Sequence, residues 1–398
     1  MAVRDVLIVG AGPSGLATAI AAKQRGLDYV VVEKGVLVNS IFHFPTHMVY
    51  FTTPELLEIG GLPLVTPYDK PTRLESLRYY RRVVDTYAIQ VSFHEEVIDI
   101  TRDAGVFSVT TRNTGPSVRG PGAAPFDRPT PRQAQGRPER SRRATDSGSP
   151  RATPRGDPAQ GAPSTGRGAQ RTRPNGGDRV THAKAVVLAI GYYDIPNRLG
   201  VPGEDLPHVS HYFKEPHPYY RRRVVIVGGR NSAAEAALEL YRAGAHVTLV
   251  HRRSALGESI KYWVRPDIEN RIKEGSIAAR FETRVVEITC GSVIVEPAAE
   301  PVAGGLQASG REEIPADAVL LLTGYRPDVD LMRRAGISCN DETLAPHLNP
   351  ETFETNVPNL FIAGGAVAGR NTGSIFIENG RFHGERIINV LADRFQRD

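Results

Sequence analysis

The opening residues alternate between apolar and polar stretches in a pattern that predicts a strand, a helix and a second strand. Residues 4–10 contain a short continuous apolar run, VLIV, which is typical of a buried strand. From Leu16 to Arg25 the apolar residues recur at helical spacing, and Gly26 predicts the end of that helix. The run YVVVE at 29–33 predicts a second buried strand. The chain therefore begins with a βαβ unit.

The same arrangement occurs a second time from Arg223 onward. The stretch VVIVGGRNSAAEAALELYRAGAHVTLVHRR predicts a strand, a glycine turn, a helix that ends at Gly244, and another strand. The run AVLLLTGYRPD at 318–328 predicts a further strand of this second unit. Two such units predict an α/β protein with two Rossmann-like dinucleotide-binding domains.

Later apolar runs predict that one of these domains is inserted in the other. FSVTT (107–111) and AKAVVLAIG (183–191) add strands to the first unit. NLFIAGG (359–365), followed by a long amphipathic helix from about Gly373, returns the chain to that unit. The predicted domain boundaries are residues 1–205 for the first part of the first domain, 206–325 for the second domain, and 326–398 for the second part of the first domain.

Positive charge is concentrated in one segment. The whole chain has a net charge of +5, whereas residues 115–177 contain 12 Arg, no Lys and 4 acidic residues, so the remainder is mildly acidic. Val118 and Phe126 are the only large apolar side chains of this segment, which cannot bury enough surface to offset the entropy of ordering. We predict a disordered insertion over 112–178 at a hairpin tip. Because the segment lacks interleaved aromatic residues, we expect no nucleic-acid partner.

Cysteine content and hydropathy argue against several other classes of protein. The two cysteines, Cys290 and Cys339, lie far apart, and no Cys or His cluster has the spacing of a disulfide scaffold or a zinc site. We therefore predict no metal site and a reducing, cytoplasmic location. No stretch approaches the roughly 18 apolar residues that a membrane span needs. Glycines interrupt the N-terminal apolar run, so we expect neither a signal peptide nor a membrane partner.

The turn of the first unit has the composition of a pyrophosphate-binding loop. Gly10, Gly12 and Gly15 match G-x-G-x-x-G directly after a strand, and the helix that follows offers free N–H groups and a partial positive charge. Glu33 ends the second strand, where a carboxylate accepts hydrogen bonds from a ribose diol. The residues expected to contact this dinucleotide are Gly10, Gly12, Pro13, Ser14, Gly15, Glu33, Lys34, Val97, Gly191 and Gly364.

The second unit has a related turn with a different strand ending. Gly228 and Ala233 match the first and last motif positions, while Arg230 replaces the middle glycine. Its second strand ends in His-Arg-Arg and not in a carboxylate, and guanidinium groups favour a 2′-phosphate over a free hydroxyl. The sequence therefore predicts NADPH in preference to NADH. The expected contacts are Gly228, Asn231, Ser232, Ala233, His251, Arg252 and Arg253.

Two dinucleotide sites in one chain predict a relay of electrons. One site would hold a resident flavin and the other a nicotinamide that delivers hydride to it. We assign FAD to the first domain and NADPH to the second. The polar loop 368–374 and the helix predicted after it would place a helix N-terminus near the flavin, where the helix dipole favours the negative charge of the reduced ring.

Outside residues 112–178, the chain resembles the thioredoxin-reductase-like flavoproteins and, more narrowly, the YpdA-type bacillithiol disulfide reductases. The stretches that carry this resemblance are VEKGVLVNSIFHFPTHMVYFTTPELLEIGGLP, DKPTRLESLRYYR, GYYDIPNRLGVPGEDLPHVSHYFKEPHPY, GGRNSAAEAALEL and IFIENGRFHG. The resemblance implies FAD in the first domain, NADPH in the second, and reduction of a low-molecular-weight disulfide. We also expect a homo-oligomer.

Two departures from these families bear on the chemistry. Thioredoxin reductases carry a C-x-x-C pair in the nicotinamide domain, and this chain has none. In the bacillithiol disulfide reductases, the position of Ser14 is a cysteine assigned to attack the disulfide. A serine hydroxyl has a far higher pKa than a thiol at a helix N-terminus. We therefore expect Ser14 to act as a pyrophosphate-loop donor, and the catalytic residue stays unassigned.

Two alternative functions remain open at this point. A ferredoxin- or flavodoxin-NADP reductase needs no redox cysteine and passes electrons to a redox protein. A non-catalytic NADPH-binding or redox-sensing protein would use the Arg-rich segment to reach a partner.

Overall fold

The computed structural model describes residues 2–115, 177–298 and 310–396. Its strands, numbered in chain order, are β1 (Arg4–Val9), β2 (Tyr29–Glu33), β3 (Val91–Phe93), β4 (Glu95–Asp103), β5 (Val106–Asn113), β6 (Arg179–Leu188), β7 (Ile195–Pro196), β8 (Val209–Ser210), β9 (Arg223–Val227), β10 (His246–Val250), β11 (Ala278–Arg280), β12 (Thr283–Ile288), β13 (Ser292–Pro297), β14 (Glu312–Pro315), β15 (Ala318–Leu321), β16 (Tyr325–Arg326) and β17 (Leu360–Ile362). Its α-helices are α1 (Pro13–Gln24), α2 (Asn39–His43), α3 (Arg73–Tyr87), α4 (Asn231–Arg242), α5 (Arg265–Lys273), α6 (Val329–Arg334), α7 (Ile377–Gly380) and α8 (His383–Phe395).

Sheet A has the strand order β3-β2-β1-β6-β5-β4, and β17 also pairs with β6. Strand β1 is parallel to β2 and β6, with Val6 opposite Tyr29 and Arg4 opposite Ala183. Helices α1, α3 and α8 pack on one face, and α6 packs on the other. The apolar run of β1 is therefore covered on both sides, which explains why it does not alternate with polar residues.

Sheet B has the order β11-β10-β9-β15-β8, and its neighbouring strands are parallel. One face packs on α4 through Ala233 and Leu240, and the other packs on the antiparallel sheet β12-β13-β14 through Val225 and Val293. Between sheets A and B, β7 and β16 form a short antiparallel ribbon in which Ile195 lies opposite Arg326.

The strand order places both glycine turns where a ligand is expected. In sheet A, β1 lies between β2, the next strand, and β6, a later one; in sheet B, β9 lies between β10 and β15 in the same way. Ligands of open parallel sheets bind in the crevice at the carboxyl ends of the strands, where the strand order reverses. Both turns begin at such a point.

Two predicted elements differ in the structure. The strand predicted over 318–328 is divided into β15 and β16, because Gly324 adopts a φ of +89° between them. The long helix predicted from about Gly373 is wrong: α7 begins at Ile377, and α8 follows as a separate helix. Asn379 explains the late start, since its side chain accepts a hydrogen bond from the Phe376 N–H and donates one to the Ser374 carbonyl.

Most of the predicted insertion, residues 112–178, lies outside the described residues. Of its ends, Arg112 and Asn113 belong to β5, and Asp178 directly precedes β6. The domain boundaries at 205/206 and 325/326 stay predictions. Within the described ranges, every helix is too short or too polar to cross a membrane.

Candidate dinucleotide sites and their cleft

The first glycine turn follows β1 and brings the backbone close to the neighbouring strand. Gly10 adopts a φ of +104°, and a Cβ there would lie 2.5 Å from the Ala189 carbonyl oxygen. Gly15 packs against the Gly10 carbonyl, so a side chain would clash there as well. Gly12 differs, because a Cβ on it would meet no atom within 4 Å. The turn therefore needs two glycines for packing and presents the third to open space.

Glu33, at the end of β2, is held by the backbone of the turns around it. Its two carboxylate oxygens accept hydrogen bonds from the Ala11 N–H at 2.8 Å and the Gly35 N–H at 2.9 Å. The residue is only 6% exposed. Burial raises the pKa of Glu33, and the two hydrogen bonds oppose that rise by favouring the carboxylate. Each oxygen keeps a further lone pair for a ligand hydroxyl.

Glu33 and the first turn line one large cleft at the carboxyl ends of β1, β2 and β6. It encloses about 1320 Å³, part of it open to solvent. Nine of the ten residues expected to contact the first dinucleotide line it: Gly10, Gly12, Pro13, Ser14, Glu33, Lys34, Val97, Gly191 and Gly364. Gly15 lies behind the cleft wall. The fold thus brings together residues from positions as distant in sequence as 10 and 364.

Several cleft residues, among them Tyr192 and Asp194, were not on the list of expected contacts, although Lys34 was. Lys34 forms an ion pair of 2.9 Å with Asp194, which directly precedes β7. Burial opposes the charge on Lys34, but Asp194 and then Glu33 raise its pKa above the ordinary value. The Tyr192 ring lies where a side chain at Gly365 would stand, with Cδ1 2.6 Å from a Cβ built there. In the sequence, Tyr192 and Asp194 lie in the stretch GYYDIPNRLG, which carries part of the family resemblance but had no site role assigned to these two residues.

Ser14 occupies the second position of α1 and lines the cleft. A Cβ at Gly364 would lie 2.5 Å from the Ser14 hydroxyl oxygen, and one at Gly380 would lie 3.3 Å from it. The nearby His383 is not a base for this hydroxyl, because its Nδ1 accepts the Gly364 N–H at 3.2 Å. Burial, and then Arg386, lowers the pKa of His383 to about 4, so this ring stays neutral.

No thiol reaches this cleft. Cys290 and Cys339 are the only cysteines of the chain, both are described, and neither lines the cleft. Burial raises the pKa of Cys339, which favours the unreactive thiol. The structure therefore brings no cysteine side chain to the lining of this cleft.

The second glycine turn, after β9, repeats the packing of the first. A Cβ at Gly228 would lie 2.6 Å from the Leu322 carbonyl oxygen and 2.9 Å from the Ala233 Cβ. Gly229 is equally constrained, because a Cβ there would lie 2.5 Å from Nδ1 and 2.6 Å from Nε2 of His251. Arg230, at the middle motif position, has an extended backbone and an exposed side chain, so it does not obstruct the turn.

The first residues of α4 have different neighbours. Ser232 is exposed at the helix start, whereas Ala233 is buried. The Asn231 amide is engaged at both ends: it donates to the Ser259 carbonyl at 2.9 Å and accepts from the Lys261 N–H at 2.9 Å. Asn231 therefore lies at the predicted place, but its side chain holds a neighbouring segment.

A positive field surrounds the end of β10. His251 follows that strand, and its Nε2 is buried without a hydrogen-bond partner among the described residues. Burial lowers the pKa of His251 first, and Arg253, Arg252 and Arg230 lower it further. The side chains of Arg252 and Arg253 are exposed and form no ion pair with a described residue. The geometry leaves these guanidinium groups open to an anion.

Comparisons with known proteins place this geometry in a family. A family model described as pyridine nucleotide-disulphide oxidoreductase matches residues 7–117 and 176–364. Bacilliredoxin reductase Bdr of Bacillus subtilis is 37% identical over 391 residues, which cover 98% of this chain and 97% of that protein. A ferredoxin-NADP reductase of Ignicoccus hospitalis is 22% identical over 91% of this chain and 89% of its own.

Solved structures agree with this result. The bacillithiol disulfide reductase Bdr of Bacillus cereus has a TM-score of 0.78 and 35% identity, covering 99% of this chain and all of that one. The Staphylococcus aureus enzyme of the same name has a TM-score of 0.76 and 32% identity, covering 99% of both chains. The thioredoxin reductase of T. acidophilum, at 17% identity and a TM-score of 0.63 over 99% of both chains, shows the fold alone.

The predicted thioredoxin-reductase-like fold, the assignment as an enzyme and the two cofactors are confirmed. The individual contact residues stay predictions. The chain belongs to the pyridine nucleotide-disulphide oxidoreductase family, flavin-dependent enzymes that work with FAD and NADPH.

Proposed function

We propose that this enzyme uses NADPH and FAD to reduce a low-molecular-weight disulfide of the bacillithiol type. The observation that carries the proposal is the pairing of two dinucleotide turns with opposite strand endings. The Ala11 N–H of one turn donates to the buried carboxylate of Glu33, whereas the other turn packs on His251, which the exposed Arg252 and Arg253 follow in the chain. The names of the B. subtilis relative and of the two bacillithiol disulfide reductase structures support the acceptor class.

The cleft of sheet A fits FAD. Gly12 leaves open space at the start of α1, where a pyrophosphate meets free N–H groups. Glu33 offers lone pairs to a ribose, and the cleft continues past Ser14 to Gly364.

The end of sheet B fits NADPH. At Gly228 the Leu322 carbonyl oxygen and the Ala233 side chain occupy the space of a Cβ, and at Gly229 the His251 ring does, so only glycine fits these two positions of the turn. Burial is the main cause of the lowered pKa of His251, and Arg253 and Arg252 lower it further through the positive potential that a 2′-phosphate would neutralise. Guanidinium groups bind phosphate oxygens bidentately, which supports NADPH over NADH.

The chemistry balances without a protein thiol. The overall reaction converts NADPH, a proton and the disulfide into NADP⁺ and two thiols. Bound FAD supplies the two-electron relay between nicotinamide and acceptor. The residues of this chain bind and orient: Glu33 holds the ribose, Arg252 and Arg253 hold the 2′-phosphate, and Ser14 narrows the cleft beside Gly364. No mixed disulfide with the protein forms in this cleft.

A stopped-flow experiment tests the acceptor. The purified protein is reduced anaerobically with NADPH, and its flavin absorbance is followed after mixing with bacillithiol disulfide, glutathione disulfide or ferredoxin. We expect reoxidation by bacillithiol disulfide to be the fastest. Equal, slow rates with both disulfides would exclude this substrate class.

A second candidate function rests on the missing thiol. A ferredoxin- or flavodoxin-NADP reductase transfers single electrons and needs no cysteine, which suits Ser14. Fast reoxidation by ferredoxin in the same experiment, with none by disulfide, would establish this candidate. We further propose a cytoplasmic homo-oligomer, and light scattering of the purified protein tests the oligomeric state.

A further inference from the structure

One segment of the chain touches both the second glycine turn and a surface outside sheet B. We define it as the relay segment, residues Gly257–Trp263. The Gly257 N–H donates to the Gly229 carbonyl at 2.7 Å, and the Asn231 amide bonds the Ser259 carbonyl and the Lys261 N–H. Three hydrogen bonds therefore join the relay segment to the turn where NADPH is proposed to bind.

The other end of the relay segment reaches the connection between α2 and α3. The Trp263 ring lies 5.7 Å from the Phe51 ring at an angle of 62°. The ammonium of Lys70 lies 4.3 Å from the Trp263 ring centre, and that of Lys261 lies 5.2 Å from the Phe51 ring centre. These edge-to-face and cation–π geometries are attractive.

Phe51 and Lys70, which contact Trp263, adjoin residues that are held in place beside sheet A. Tyr50 is buried, its N–H donates to the Pro71 carbonyl at 2.9 Å, and its hydroxyl donates to Ser76 in α3 at 3.2 Å. Phe51 and Lys70 are the immediate neighbours of this bonded pair. A displacement of Trp263 would therefore disturb Phe51 and Lys70, which adjoin the bonded residues Tyr50 and Pro71.

We propose that the relay segment couples NADPH binding to the contact between Trp263 and Phe51, with Asn231 and Trp263 as positioning residues. This inference rests on the proposed NADPH site. A nucleotide on the turn orders Gly229 and Asn231, which hold the relay segment through its hydrogen bonds. The ordered segment then keeps Trp263 against Phe51 and Lys70, so binding and contact strengthen each other.

Reciprocity makes the coupling measurable at both ends. If NADP⁺ strengthens the contact, removal of the contact weakens NADP⁺ binding, although Phe51 is not part of the glycine turn. The aromatic pair of Trp263 and Phe51 corresponds to a loss of affinity of about threefold to tenfold. Trp263 is the sole tryptophan of the chain, so tryptophan fluorescence reports on the surroundings of this one side chain.

The experiment compares Phe51→Ala with Phe93→Ala in the FAD-loaded, full-length protein. Phe93 is a matched control, because it is a phenylalanine of nearly equal exposure, 38% against 37%, and lies on the edge strand β3. NADP⁺ affinity is measured by calorimetry, and acrylamide quenching of Trp263 is measured with and without NADP⁺. The oxidised nucleotide keeps the flavin oxidised throughout.

We expect NADP⁺ to reduce the quenching of Trp263 in the unaltered protein and in Phe93→Ala, but not in Phe51→Ala. Phe51→Ala should bind NADP⁺ about threefold to tenfold more weakly, with FAD content and melting temperature unchanged. Trp263→Phe should retain the affinity that Trp263→Ala loses, because a ring is preserved. Equal NADP⁺ affinities of Phe51→Ala and Phe93→Ala would overturn this coupling and leave the proposed function standing. Failure of the unaltered protein to bind NADP⁺ would remove the proposed function itself.

Discussion

We predict that the exposed side chains of Arg252 and Arg253 make the protein prefer NADPH to NADH. In the double variant Arg252→Ala/Arg253→Ala, the backbone of the second turn and its glycines are untouched. Hydrogen bonds to charged groups contribute about 1.5–3 kcal/mol each, and exposed ion pairs contribute less, about 0.2–1 kcal/mol. Because both side chains are exposed, we take a value between these two ranges, about 1–1.5 kcal/mol of 2′-phosphate binding for each arginine. The pair then accounts for about 2–3 kcal/mol, or roughly 30- to 150-fold in affinity.

The assay is calorimetric titration of the FAD-loaded protein with NADP⁺ and with NAD⁺. NADP⁺ affinity should fall by that factor, while NAD⁺ affinity should change by less than about twofold, since NAD⁺ lacks the 2′-phosphate. High salt should weaken NADP⁺ binding to the unaltered protein more than to the variant. A control variant, Arg221→Ala/Arg222→Ala, removes the same charge at the amino end of β9, opposite the site.

His251 supplies an independent measurement of the same field. Burial lowers its pKa first, but Arg253 and Arg252 contribute as well. Their removal should therefore raise the pKa of His251 toward its ordinary value, as followed by NMR titration of the ring. Equal losses of NADP⁺ and NAD⁺ affinity in the double variant, with no change at His251, would refute the 2′-phosphate assignment.

Three further outcomes are expected. Ser14→Cys should place a thiolate at the start of α1 and speed disulfide reduction in the stopped-flow assay, whereas Ser14→Ala should keep its flavin spectrum; a slower Ser14→Cys would contradict this. Gly365→Ala should push Tyr192 into the cleft and weaken FAD binding, and Tyr192→Ala in the same chain should restore it, as FAD titration would reveal. Burial raises the pKa of Glu235 from 4.5 to about 7. Between these two pH values the folded protein keeps this carboxyl protonated, whereas the unfolded chain has lost the proton. The free energy of unfolding should therefore fall as pH rises through that window. In urea unfolding, Glu235→Gln should remove on the order of 2 kcal/mol of this fall, whereas Glu258→Gln at an exposed position should leave it unchanged.

Some candidate site residues could be proposed from the sequence because they lie within one short stretch of chain. Gly10, Gly12 and Glu33 belong to one βαβ unit, and their spacing alone places them around one turn. Arg252 and Arg253 likewise follow directly from the end of a predicted strand. Such residues depend on backbone geometry over a few tens of positions, which periodicity and glycine spacing describe well.

Polar side chains also act in ways that the periodic pattern does not reveal, and the predicted helix start was wrong for this reason. The apolar residues after Gly373 have helical spacing, yet Asn379 bonds the backbone at Ser374 and Phe376 and delays the helix until Ile377. Asn231 stays a predicted nucleotide contact, and the structure shows that its amide bonds the Ser259 carbonyl and the Lys261 N–H. Both cases show a polar side chain competing for backbone groups, which apolar periodicity cannot register.

The sequence by itself determined the two nucleotide-binding units, their cofactor preference and the serine at the start of the first helix, because each is encoded within one short stretch. The tertiary structure alone decided that Tyr192 packs on Gly365, that His251 closes over Gly229, and that Trp263 meets Phe51. It also decided that neither cysteine reaches the cleft. These are meetings of residues far apart in the chain, and only the packing of the strands and helices brings such residues together.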